Sequence, residues 1–148
     1  MVDYVSKYYI DTKEIYNAFI LGDFNVEDTK SLTYKAATSS IFKIPDAILT
    51  SEVPLFTNKG QNKIYDQILY YTKYNNIAFS KAGAFNYYDT VFNNLAGYKA
   101  RAEQHTGKKM TQKTFEDFIT YQMSDHLPLW VEMKTDLAES YLNAIKKK

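Results

Sequence analysis

Apolar residues along this chain fall partly into short unbroken runs and partly into helix-like spacing. The clearest run is Ala18-Phe19-Ile20-Leu21, stopped by Gly22. Four apolar residues followed by a glycine predict a buried strand. Ahead of it, Val2 to Ile15 reads as the end of a helix. Beyond it, Asp28 or Thr29 can cap a helix over Lys30 to Ala37. Ile41 to Phe56 reads as extended or irregular, broken by Pro45 and Pro54. Lys63 to Thr72 predicts a strand, since Ile64, Ile68 and the aromatic residues around them suit a pleated surface. Asn76 to Lys81 predicts another strand, and Asn86 to Asn94 reads as helical. Ala100 to Thr114, with Gly107-Lys108-Lys109, is expected to be partly a surface loop. Phe115 to Tyr121 predicts a short helix, and Leu127 to Lys134 a strand with Trp130 in the core. Asp136 is expected to cap a last helix, Leu137 to Ile145, with Leu137, Tyr141 and Leu142 on one face. Lys146-Lys147-Lys148 then complements its C-terminal dipole.

Interspersed strands and helices predict an α/β or α+β class built on a layered sheet. No repeat and no Gly/Ser/Pro linker interrupts the pattern, so residues 1–148 are expected to form one unit.

Composition narrows the chemistry. Apolar residues are 45% of the 148, enough for a core, and charged residues are 24%, so disorder is not indicated. Eighteen basic and seventeen acidic residues leave a net charge of +1. That balance gives no general electrostatic case for tight nucleic-acid binding, although a local groove can be basic on a neutral protein. There are no cysteines, which excludes disulfides and thiolate metal sites and fits a reducing compartment. No apolar run approaches the ~20 residues of a membrane span. The N-terminus has no basic and apolar leader, so the expected location is cytoplasmic. Fourteen tyrosines are spread without the regular spacing of a base-stacking platform, and packing is the simpler reading of them.

Three short motifs carry the candidate chemistry: Gly22-Asp23-Phe24-Asn25 after a strand, Tyr65-Asp66-Gln67-Ile68 within one, and Ser124-Asp125-His126-Leu127-Pro128 opening another. Each has a plain reading. A Gly-Asp pair is a common turn, a strand Asp can face solvent, and Ser-Asp-His can cap a turn. Together they bring carboxylates, an amide and an imidazole to strand ends, where ligands of layered folds commonly bind. Such a set suits phosphoester hydrolysis. Carboxylates hold hard divalent cations, and an imidazole can stabilise a phosphoryl transition state when a carboxylate orients it. By contrast, His105 reads as an exposed loop residue, Lys108 and Lys109 as a solvated loop, and Tyr87 and Tyr88 as packing or site rim.

In order and in wording, GDFN, a strand Asp and SDHLP resemble the C-terminal motifs of the endonuclease/exonuclease/phosphatase superfamily, with its DNase I-like fold. The likeness runs from about Phe19 to Met133. That family includes DNase I-like nucleases, abasic-site endonucleases, sphingomyelinases and inositol-polyphosphate phosphatases. The resemblance implies the C-terminal half of a layered αββα sandwich, with a largely antiparallel or mixed sheet flanked by helices. It implies that Asp23 orients or activates the attacking water and that Asn25 bonds the scissile phosphate. Asp66 would orient His126, His126 would stabilise the transition state, and Asp125 would contribute to binding Mg²⁺ or Mn²⁺. The substrate would be a phosphate ester, among which DNA, RNA, a phospholipid headgroup and a small ester all stay open.

The chain also departs from the pattern. The family's N-terminal half carries an Asn on a strand and then a metal-ligating Glu, and neither has a counterpart ahead of Asp23; a mid-domain His or Tyr is likewise missing. The expectation is therefore a truncated piece, inactive alone, that pairs with a missing N-terminal half or self-associates through a bare sheet face. Two other readings stay open: a non-catalytic binding module derived from the family, and an unrelated α/β domain with chance motifs. Convergence of Asp23, Asp66 and His126 on one sheet edge is the geometry that separates them.

Overall fold

A computed structural model describes residues 4, 7, 10, 15–73, 77–134 and 138–146. Strand β1 (Asn17–Asp23) pairs antiparallel with β2 (Asp66–Thr72), and β3 (Phe79–Ala84) pairs antiparallel with β4 (Leu129–Met133). Helices α1 (Leu32–Thr38) and α2 (Asp46–Leu49) lie between β1 and β2. Helices α3 (Tyr87–Thr90), α4 (Leu95–Thr106) and α5 (Gln112–Gln122) lie between β3 and β4, and α6 (Ala138–Lys146) follows. Helices and antiparallel strands in two small sheets make the class α+β.

The register of the first sheet sets Ile20 opposite Leu69, Leu21 opposite Ile68 and Asp23 opposite Asp66. Side chains alternate across a pleat, so Ala18, Ile20, Leu69 and Tyr71 share one face. That face is closed by Ile10, Ala37, Phe42 and Ile44, with Leu69 entirely buried. The opposite face carries Phe19, Leu21, Ile68, Tyr70 and, at its end, Asp23 and Asp66. Phe79 of β3 packs edge-on against Tyr70 at 4.8 Å and Phe19 at 6.4 Å, bringing the second sheet onto this face. Coverage of β1 is partial: Leu21 remains 64% exposed. A second core gathers Tyr87, Ala102, Met110, Phe115, Ile119 and Leu127.

The strand expected over Ala18–Leu21 forms, from Asn17 to Asp23, but it is not buried: one of only two strands in its sheet, it leaves Leu21 largely exposed. Other boundaries differ for local reasons. Ser31, not Asp28 or Thr29, caps α1 by accepting the Tyr34 N–H at 3.2 Å; Asp28 instead accepts from the Lys30 N–H in the turn before it. Pro45 immediately precedes the one-turn α2, where a proline starts a helix as readily as it stops one. β2 begins at Asp66, and β3 at Phe79. The expected loop over 100–114 is helical as far as Thr106. Gly107, at φ 68°, ends it there, its N–H donating to Glu103 O. His105 is exposed, but in the last turn of that helix. Thr111 and Thr114 form a reciprocal capping box that starts α5 before Phe115. Trp130 is 42% exposed and outside the core. Its ring lies on Gly83 opposite, where any Cβ would stand 2.6 Å from it. Of the N-terminal helix only Tyr4, Lys7 and Ile10 are described, and each is helical. Asp136 and Leu137 lie outside the described residues.

Candidate active site

The first motif is a turn in which every residue has a local task. Gly22 sits at φ 149°, a conformation that favours glycine, as β1 ends. Asp23 Oδ1 accepts the Asn25 N–H at 2.7 Å, while Asn25 takes φ 51°, which asparagine tolerates. Phe24 donates its N–H to Tyr65 O at 2.9 Å and turns its ring to the first core. The turn holds Asp23 at the strand end with Oδ2 uncommitted to it.

Asp66 stands directly across from Asp23 on the same sheet face. Like charges opposed across two strands destabilise a sheet, so the pair needs a cation nearby. His126, when protonated, supplies one. Its Nδ1 meets Asp66 Oδ2 at 2.7 Å, and its Nε2 faces Asp23 Oδ2 at 3.8 Å. The first distance is that of a charge-assisted hydrogen bond. The second is too long for a direct bond, so a third group can engage both atoms. Burial pulls the His126 pKa down; the hydrogen bond its ring donates to Asp66 and the charges of Asp66, Asp23 and Asp125 outweigh it. The net result is a pKa above the ordinary histidine value. The imidazole is three-quarters buried and tilts over the Tyr65 ring at 5.6 Å.

Three residues not singled out in the sequence hold this geometry. Thr57 is fully buried. Its hydroxyl accepts the Asp66 N–H at 3.0 Å, and its carbonyl accepts the Leu127 N–H at 2.7 Å. One residue thus joins the backbone at both halves of the Asp66–His126 pair. Asn58 bridges His126, and the Lys59 N–H donates to Asp125 O at 2.8 Å. Nothing in a Thr-Asn-Lys-Gly stretch marks it as more than a turn. Tyr87 and Tyr88 both donate hydroxyls to Ser124 O, and Ser124 Oγ accepts the His126 N–H at 2.9 Å. The two tyrosines are therefore at once core and rim. Burial and the neighbouring Tyr88 push the Tyr87 hydroxyl pKa up, keeping it a neutral donor.

Asp23, Asp66 and His126 are brought together at one sheet end. Asn25 joins through its backbone, with its side chain exposed. Asp125 is exposed beside the cluster and acts on His126 by charge. Among the described residues no three His, Cys, Asp or Glu side chains are grouped to hold a metal. The donor set explains this: Asp66 is engaged by His126 and one Asp23 oxygen by Asn25. The described residues alone do not fit a complete divalent-cation site. No described helix is long and apolar enough to cross a membrane. The chain matches no protein-family model, no curated protein and no solved structure.

Proposed function

We propose that the Asp23–Asp66–His126 cluster serves phosphoester hydrolysis, in the manner of the endonuclease/exonuclease/phosphatase enzymes its motifs resemble. In this reading Asp66 holds the His126 ring by Nδ1, so that Nε2–H donates to a phosphoryl oxygen and offsets charge building there. Asp23 accepts a proton from the attacking water as the P–O ester bond breaks, and Asn25 bonds the phosphate. A cation such as Mg²⁺ or Mn²⁺ would use Asp125 together with donors beyond the described residues, and would supply charge stabilisation at the phosphate. The exposed part of β1 at Leu21 would be covered by the remaining half of an αββα sandwich or by a second copy.

One observation carries the reading. Two opposed carboxylates at a strand end are unfavourable for a sheet, yet they share a histidine drawn from a motif 60 residues from Asp66. The test is an NMR titration of residues 1–148 with dimethyl phosphate, following the His126 ring signals. Saturable shifts at His126, weakened in Asp66→Asn, which removes the charge that holds the ring, are expected; His126 signals that do not respond would sink the proposal. Assays with bis-p-nitrophenyl phosphate and Mn²⁺ address completeness. The reading expects no turnover from this chain alone, and turnover abolished by His126→Ala would overturn that part. The absence of a three-donor cluster among the described residues favours a second reading, a phosphate-binding module without catalysis. That module would bind dimethyl phosphate and stay inactive even when covered by a partner.

A further inference from the structure

At the start of β2, against α1, α2 and the segment 51–56, lies a cleft of about 360 Å³. The volume is in the range of small-molecule sites. Its walls are apolar, formed chiefly by Ile44, Ile48, Leu55, Phe56 and Ile64. One buried polar side chain lines it. Gln67 is only 6% exposed, and its Nε2 donates to Ile64 O at 2.6 Å. That carbonyl can only accept, so it fixes which way round the amide stands. The Gln67 Oε1 then accepts no hydrogen bond from any described residue. Folded interiors seldom keep a buried acceptor without a partner. Asp28, Glu27 and Asp66 line the same cleft, with Glu27 held by Lys63 Nζ at 3.1 Å and Asp66 by His126 Nδ1 at 2.7 Å.

We propose that this cleft binds a small, uncharged organic molecule with an apolar body and an N–H group, the N–H donating to Gln67 Oε1. The apolar walls take the body, and the amide oxygen selects the donor. Asp66 lines the cleft and also holds His126, so an occupant lies one residue's width from the proposed catalytic cluster. The site does not depend on the hydrolase reading and stands if that reading fails.

Indole and 1-methylindole share a body and differ in the donor. With the full chain labelled at its isoleucine and leucine methyls, both probes are titrated and the Ile44, Ile48 and Leu55 signals followed. Indole is expected to bind about fivefold more tightly, the worth of one neutral hydrogen bond. In Gln67→Leu, which keeps the bulk and removes the acceptor, that ratio should fall to about one. Ile48→Phe, which fills part of the cleft, should weaken both probes together and serves as the test if Gln67→Leu does not fold. Methyl signals indifferent to both probes, equal affinities in the unaltered chain, or a ratio that survives Gln67→Leu would each overturn the proposal.

Discussion

Replacing Asp66 by Asn keeps the shape of the side chain and removes the charge that faces His126. The substitution weakens a 2.7 Å hydrogen bond between two groups that are 27% and 23% exposed. Hydrogen bonds to charged partners contribute about 1.5–3 kcal/mol, and partial exposure selects the lower end, near 1.5 kcal/mol. That is about a tenfold change in the folding equilibrium. The loss must depend on pH, with a definite sign. The folded-state pKa of His126 is raised, so its contribution is fully present below the unfolded value and disappears as pH rises through the folded one. Urea unfolding at about pH 6, below the ordinary histidine pKa of about 6.5, should therefore show the full penalty. At about pH 9 the penalty should shrink toward that of a neutral hydrogen bond, about 1 kcal/mol or less. The His126 ring titration in Asp66→Asn should move to lower pH. An equal loss at both pH values, or an unchanged titration, would refute the assignment of Asp66 as the charge that sustains His126.

Thr57→Val preserves shape but leaves the Asp66 N–H without its acceptor; a cost of about 1–3 kcal/mol and a displaced His126 titration are expected, read by urea melts and NMR. Leu69→Ala empties the fully buried centre of the first core and should cost about 2–5 kcal/mol, a value under 1 kcal/mol counting against the packing described. Gly83→Ala drives a methyl into the Trp130 ring, so the ring must lift; about 1–3 kcal/mol of destabilisation is expected, with a red-shifted emission from the chain's one tryptophan.

How much of the fold is legible in the chain follows from the range of the interactions involved. The Ala18–Leu21 run and the Gly22 stop are local, and β1 stands where they put it. Asp66 opposite His126 is legible only because three motifs recur in a known order; periodicity alone leaves Asp66 on a solvent face. Misplaced helix ends trace to caps that compete within a few residues. Ser31 takes the capping role expected of Asp28, and Gly107 closes a helix where Lys108 and Lys109 suggest a loop extending back to Ala100. Hydrophobicity alone puts Trp130 in the core, whereas the glycine facing it across the sheet lets its ring lie at the surface. Thr57 is invisible for a different reason. Its value lies in two backbone partners far along the chain, and no composition rule marks such a residue.

The span of the His126–Asp66 pair has a consequence for assembly. Bringing two groups 60 residues apart into contact requires Thr57 to be seated, the first sheet to be paired and the second sheet to be docked on it. Contacts of such sequence separation are among the slow ones to form, because loop closure must precede any gain from them. The His126–Asp66 geometry is thus one of the last things the chain acquires, and among the first it gives up when either sheet opens. A nascent or locally unfolded chain lacks the cluster, and any ligand that bridges Asp23 and His126 acts as a clasp on the whole fold.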